Sequence, residues 1–183
     1  MTNPDKPTLN QSPRLSQIAI WCAFLSGFVS ILGIVFLIAF FGFGASTGRL
    51  NDIAVIIQYS LMLPIALAMY QILKPVNPSL SLAALLIGTT GMLAVIVLQL
   101  LLVTDVLPFA NQIVPVVIAF LVVLVWFIIN GVLARSTDKL PSNMLLNVLA
   151  GLYVGYPIWA FSTWRRLRAP FQDQQPLDPP RHS

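Results

Sequence analysis

The sequence predicts an all-α fold, an integral membrane bundle of five transmembrane helices. Of its 183 residues, 57% are hydrophobic and only 9% are charged, whereas soluble domains carry about 25% charged residues. Five apolar runs of about 21–26 residues contain no charged side chain, and about 20 such residues suffice for a helix to cross the hydrocarbon core. In lipid, runs of this kind satisfy their backbone hydrogen bonds as helices.

Polar, helix-breaking segments separate the five predicted spans. Asn51 and Asp52 are candidate N-caps for the second helix. In the next connection Lys74 suits a helix C-terminus, Pro75 stops the helix, and Ser79 is a candidate cap for the third. The polar, Pro-rich segments 1–17 and 169–183 are predicted to be disordered. The predicted spans are 18–43, 53–73, 80–104, 113–134 and 144–164.

The positive-inside rule does not orient a five-span bundle. With the N-terminus in the cytoplasm, that side holds five cations, Lys6, Arg14, Lys74, Arg135 and Lys139. The other side also holds five, Arg49, Arg165, Arg166, Arg168 and Arg181. The tie would break if the last segment, which contains Pro157, re-entered the membrane or lay at its interface. We favour a cytoplasmic N-terminus because the short loops lie on that side.

The turn Leu73-Lys74-Pro75-Val76-Asn77 is the most distinctive motif of the chain. Together with the stretches 131–135, 140–141 and 151–156, it resembles a family of small bacterial multi-spanning membrane proteins known only as a domain of unknown function. The resemblance covers roughly residues 50–160. It implies a bacterial membrane protein and transfers no catalytic residue. Members of the family usually have a sixth helix, whereas five are predicted here.

The residues that membrane enzymes and pumps use are missing from the predicted spans. Proton relays and ion-coupled transporters need titratable groups inside the bundle, and all six acidic residues, each an Asp, lie outside these spans. One Cys and one His, Cys22 and His182, supply neither a redox pair nor a metal or haem ligand set. We therefore predict no enzyme, no cofactor and no metal. An enzyme acting on lipid would need Asp52 or Asp105 in a headgroup-level cleft beside Arg49.

Neutral polar residues within the spans suggest two alternatives. Such side chains hydrogen-bond between helices, for about 0.6–2 kcal/mol each. Alternatively, four of them could converge at a common depth and line a polar cavity for a transported or bound small molecule: Gln58, Gln99, Asn130 and Tyr153.

Small residues mark helix faces that can approach closely. Gly151 and Gly155 form a GxxxG motif in the last predicted helix, and Ser26, Ser30 and Gly33 form a small face on the first. Close packing of this kind serves either the bundle itself or contacts with another protein. The alternatives are a membrane-protein partner and a homo-oligomer.

The predicted function is that of a non-catalytic multi-pass protein, an accessory or structural subunit acting through helix packing with partners. A transporter or small-molecule-binding membrane protein is the alternative. Cations near the last span, Arg165, Arg166 and Arg168, suit anionic lipid headgroups. The cations flank apolar runs instead of forming a basic folded face, so nucleic acid is not a predicted partner. The predicted location is the bacterial cytoplasmic membrane.

Overall fold

The computed structural model describes residues 13–43, 45–137 and 151–172, and these residues form five helices. Each helix packs along its neighbour in the chain: α1 with α2, α2 with α3, and α3 with α4. Helix α5 packs against α1. The helices are α1 (Pro13–Phe43), α2 (Ala45–Leu73), α3 (Pro78–Val103), α4 (Phe109–Ala134) and α5 (Gly151–Gln172).

Helices α1 to α4 confirm the prediction of apolar membrane helices. Each contains a stretch long and apolar enough to cross a membrane: Leu15–Gly42, Thr47–Leu73, Pro78–Val103 and Phe109–Ala134. Their outward faces are apolar as well, with large side chains such as Ile38, Phe41 and Val114 more than half exposed. A helix that is apolar all round belongs in a protein core or in lipid. The four helices therefore indicate an integral membrane protein.

The prediction of a fifth span over 144–164 is wrong for the residues that the structure describes, because α5 is not a candidate span. The uncharged part of α5, 151–164, rises only about 21 Å at 1.5 Å per residue, against a hydrocarbon core of about 30 Å. The helix then continues past Trp164 through three arginines. Residues 144–150 of the predicted span lie outside the described residues.

Several helix ends differ from the sequence prediction. Helix α1 begins at Pro13 and α5 continues to Gln172, so residues 13–17 and 169–172 of the segments predicted to be disordered are helical, while 1–12 and 173–183 lie outside the described residues. Helix α2 begins at Ala45, so Asn51 and Asp52 lie within it and do not cap it. Because 45–52 contains no proline, nothing in this stretch prevents the helix from extending over these polar residues.

The cap of α3 is Asn77 and not the predicted Ser79. The Asn77 side-chain oxygen accepts a hydrogen bond of 3.0 Å from the backbone N–H of Leu80. Pro78 takes the first helical position, where its missing N–H costs nothing and its φ angle suits the helix. The Lys74–Asn77 turn is therefore stabilised by Asn77 together with Pro78.

Replacing Asn77 with Ala is expected to destabilise the chain by about 1 kcal/mol, the usual cost of losing an N-cap. Ser79→Ala is the matched control, and its unfolding midpoint should stay at the wild-type value. Thermal unfolding in mild detergent measures both. Equal midpoints for the two variants would contradict the assignment of the cap.

Four aromatic side chains join α5 to α4 in the interior. Trp126 and Phe127 of α4 and Tyr156 and Trp159 of α5 are each at most 1% exposed. Their ring centroids lie 4.7–6.2 Å apart in edge-to-face or tilted pairs, the geometry that aromatic rings prefer. We call these four residues the aromatic cluster. It links the last described helix to the hairpin of α3 and α4.

Candidate functional site

A polar cleft lies at the end of the bundle that holds the C-terminus of α1, the N-terminus of α2 and the turn between α3 and α4. It consists of two adjoining cavities of about 460 and 200 Å³. Asp52, Leu102 and Phe109 line both of them. The larger cavity is also lined by Leu37, Phe40, Phe41, Gly48, Arg49, Asn51, Val103 and Asp105, and the smaller by Gln99, Gln112, Ile113, Val116 and Val117.

An ion pair lies at the rim of the polar cleft. The guanidinium of Arg49, in the early turns of α2, donates to the carboxylate of Asp105 at 2.8 Å. Their side chains are 57% and 78% exposed, and pairs of this kind contribute about 0–1 kcal/mol. The pair therefore matters for the charge at the rim more than for stability. Asp52, half-buried in the same cleft, brings a second carboxylate close to Arg49.

The backbone of Asp105 adopts a left-handed conformation to make this contact. Its φ angle is 57°. The N–H groups of Val106 and Asp105 donate to the carbonyls of Leu101 and Leu102 at 2.9 and 3.0 Å, which is a Schellman end to helix α3. Glycine is the usual residue at this position. The chain has instead a residue that supplies a carboxylate to the cleft, at some conformational cost.

Asp105→Gly is expected to leave stability unchanged or raise it by up to about 1 kcal/mol, because glycine adopts a left-handed conformation without steric cost. Loss of the exposed ion pair removes no more than that. Asp105→Ala loses the same pair and keeps the strain, so its unfolding midpoint should lie below that of Asp105→Gly. A higher unfolding midpoint for Asp105→Ala than for Asp105→Gly would contradict the conformational cost assigned to the left-handed backbone at Asp105.

Two buried amide oxygens in the polar cleft have no hydrogen-bond partner among the described residues, Asn51 Oδ1 and Gln99 Oε1. Both residues are less than 8% exposed. The neighbouring Gln112 is satisfied, because its amide nitrogen donates to the Leu98 carbonyl at 3.0 Å. An unpaired buried acceptor costs about 1–3 kcal/mol, and such groups in native proteins call for an explanation. A bound hydrogen-bond donor would supply one.

The four residues predicted to share a cavity do not all meet. Gln99 lines the polar cleft beside Gln112, but Asn130 lies 18 residues further along α4, about 27 Å away. Asn130 donates to the Trp126 carbonyl of its own helix at 2.8 Å. Gln58 is buried on α2 and lines neither cavity of the cleft. The side chain of Tyr153 lies outside the described residues.

Asn51, Asp52 and Gln112 were not predicted as companions of Gln99. Asn51 and Asp52 were interpreted as caps, and Gln112 as part of a connecting segment. Asp52 was also named as a residue that an enzyme acting on lipid would need in a cleft beside Arg49, and it lines the cleft with Arg49 and Asp105. One available signal was the symmetry of the α3–α4 hairpin: Gln99 and Gln112 lie at nearly equal distances from the turn at Asp105, so antiparallel packing sets them side by side. The contribution of α2 depends on helix packing and has no such local signal.

The small residues of α1 are used inside the bundle. Ser26 Oγ accepts a hydrogen bond from the buried Tyr156 hydroxyl at 2.8 Å, and Gly33 lies against Ala54 and Asn51 of α2. Ser30 is also buried. Gly27, which the prediction omitted, packs against Ala160 of α5. Gly151 and Gly155 belong to α5. Their packing lies outside what the structure describes.

The arginines of α5 lie on its exposed surface near the N-terminal half of α1. Arg165, Arg166 and Arg168 are all exposed. The guanidinium of Arg168 lies 5.4 Å from the ring centroid of Trp164, and the Trp164 ring lies 5.3 Å from that of Phe24. The basic surface of α5 thus contacts α1 through the rings of Trp164 and Phe24.

No known protein family, no curated protein and no solved structure matches the chain. The resemblance at Leu73–Asn77 therefore stays a prediction. Among the described residues, no group of three His, Cys, Asp or Glu side chains could hold a metal ion. The interpretation of the polar cleft consequently depends on its own chemistry.

Proposed function

We propose that the chain is a non-catalytic multi-pass protein of the bacterial cytoplasmic membrane that binds a small molecule in the polar cleft. The observation that carries this proposal is the unpaired, buried Gln99 Oε1 beside Asp52 in a cavity. Ligand sites are typically concave and mostly apolar, with a few polar groups that orient the ligand. The cleft has this composition, although Gln99 is the one residue of the sequence-based alternative that lines it among the described side chains.

We further propose that the polar cleft faces away from the cytoplasm. Four spans return the end of α4 to the side where α1 begins, and α5 does not add a crossing. Of the cations with described side chains, five then lie on that side: Lys74, Arg135, Arg165, Arg166 and Arg168. Arg49 alone lies at the cleft end. The positive-inside rule then makes the N-terminal side cytoplasmic.

Cysteine labelling in intact cells tests this orientation. In a Cys22→Ser background, Val106→Cys at the cleft end should react with a membrane-impermeant maleimide, because Val106 is 68% exposed. Ser136→Cys, exposed after α4, should react only after the cells are opened. The opposite pattern would reverse the orientation, and labelling of both positions from outside would contradict the four-span topology.

Native mass spectrometry in mild detergent tests ligand binding. Leu102 lines both cavities, so Leu102→Trp should fill part of the cleft and remove a small-molecule adduct present on the wild type. Leu100→Trp, on the exposed side of the same helix, is the matched control and should keep the adduct. An adduct that survives in both variants, or its absence from the wild type, would contradict the proposal.

The accessory-subunit role is the competing proposal, and the same purification tests it. Part of its motivation was the small-residue faces, but Ser26 and Gly33 of α1 have intramolecular contacts. These contacts weaken the argument that this face of α1 is kept for a partner. A stable protein partner that survives mild detergent, with no small-molecule adduct, would favour the accessory role.

A further inference from the structure

We infer that the polar cleft binds an amphiphile whose head is a primary ammonium group, with the apolar body lying between the aromatic and aliphatic walls. This inference rests on the proposed ligand-binding function and specifies the chemistry of the ligand. It follows from the hydrogen-bonding character, the charge and the shape of the cleft.

Two residues that line the cleft carry acceptors without a partner. Asn51 Oδ1 and Gln99 Oε1 have no donor among the described residues, and Asp52 lines both of the cavities that these residues line. Gln112 already uses an amide N–H within the protein. An ammonium group has three donors and no acceptor. It therefore matches a cleft lined by a carboxylate and by two residues with unpaired amide oxygens.

The charge of the cleft also favours a cation over an anion. Two carboxylates, Asp52 and Asp105, line the larger cavity together with one cation, Arg49. Arg49 is already paired with Asp105 at the rim, so the three groups leave one negative charge, on Asp52, whose carboxylate also has a side-chain hydrogen bond with Asn51. An anionic head would meet this carboxylate with no free cation to offset it. Charge-assisted hydrogen bonds to Asp52 are the stronger alternative.

The walls of the cleft are suited to a hydrocarbon body. Leu37, Phe40 and Phe41 of α1 face Leu102 and Phe109 across a cavity of about 460 Å³, a volume within the range of small-molecule sites. Phe41 and Phe109 are also largely exposed at the surface of apolar helices. A chain that leaves the cavity past them enters lipid directly. Two sources share this chemistry, a free alkylamine and a phospholipid with an ethanolamine head.

Thermal unfolding of the full chain in maltoside detergent tests the inference. Dodecylamine should raise the unfolding midpoint, because a ligand that binds only the folded state stabilises it. Dodecyltrimethylammonium has the same charge but no N–H donor, and should bind about tenfold more weakly or worse. In the lipid arm, phosphatidylethanolamine is compared with phosphatidylcholine, which differs only in the methylated head. Stabilisation in the lipid arm alone identifies a phospholipid, and in the amine arm alone a free alkylamine.

Three variants complete the test. Asp52→Asn should lower dodecylamine affinity about tenfold or more, whereas Gln58→Leu, on α2 outside both cavities, should change it little. Gln99→Leu removes an unpaired buried acceptor, so it should fold at least as well as the wild type and still bind more weakly. This variant keeps the test valid if Asp52→Asn fails to fold.

The outcomes separate this inference from the proposed function. Equal affinity for dodecylamine and dodecyltrimethylammonium, or for the wild type and Asp52→Asn, overturns the ammonium assignment. Binding of dodecanol or dodecyl sulfate that Leu102→Trp abolishes would overturn it too, while leaving the ligand-binding function intact. If no amphiphile changes the midpoint and the wild type carries no adduct, both fail.

Discussion

Replacing Trp159 with Ala is expected to lower the free energy of unfolding by about 3 kcal/mol or more, the cost of truncating a buried tryptophan. Trp159 is 1% exposed and contacts three other rings of the aromatic cluster. Phe127 also contacts the three other rings, but Trp159 is the ring of α5 that contacts both Trp126 and Phe127. Loss of the indole should therefore loosen α5 from α4 before the rest of the bundle unfolds.

Limited proteolysis within α5 and thermal unfolding in mild detergent measure this effect. Trp159→Phe keeps a ring and removes the buried indole N–H, which lacks a partner among the described residues, so it should cost much less than Ala. Trp21→Ala is the surface control, because Trp21 is 63% exposed. If Trp159→Ala and Trp21→Ala unfold at the same midpoint, the aromatic cluster does not hold α5 in place.

Gly88→Ala is expected to destabilise the chain by about 1–3 kcal/mol, the range for overpacking a filled interior. A Cβ atom on Gly88 would overlap the Trp126 indole. The ring has little room to retreat because it is fully buried among the aromatic cluster. The α3–α4 hairpin would have to separate locally. The fluorescence from tryptophan side chains that become exposed to detergent should therefore increase as the unfolding midpoint falls.

Gly42→Ala is the matched control for this prediction. A Cβ on Gly42 meets nothing within 4 Å, so the variant should be neutral or slightly stabilised by the better helix propensity of alanine. Combining Gly88→Ala with Trp126→Phe should relieve part of the penalty, since residues in contact do not act additively. A Gly88→Ala protein as stable as Gly42→Ala would exclude the tight packing described.

The third and fourth spans show how far the sequence alone can be used. Predicted at 80–104 and 113–134, they are observed at Pro78–Val103 and Phe109–Ala134, because each uncharged run has a proline at its start and a charged residue after its end. Helix α2 was predicted less well. Its first eight residues are small and polar, and local propensity does not show whether they form a loop or continue the helix.

The α5 segment shows where composition misleads. Its apolar residues predicted a span, but much of that apolarity is aromatic and is buried against α4 and α1, as Trp159 and Trp164 illustrate. A run of apolar residues can be buried by protein or by lipid, and hydropathy does not distinguish the two. Contacts between α5 and the rest of the bundle decide between them.

By itself, the sequence determined that this chain is helical and suited to lipid, because long uncharged apolar runs leave the backbone no other way to satisfy its hydrogen bonds in a membrane. It also determined that titratable groups would lie near helix ends. Only the tertiary structure decided which of these groups meet. The polar cleft combines Asp52 from α2, Gln99 from α3 and Gln112 from α4, and this juxtaposition depends on the register and rotation of packed helices, which no single helix encodes.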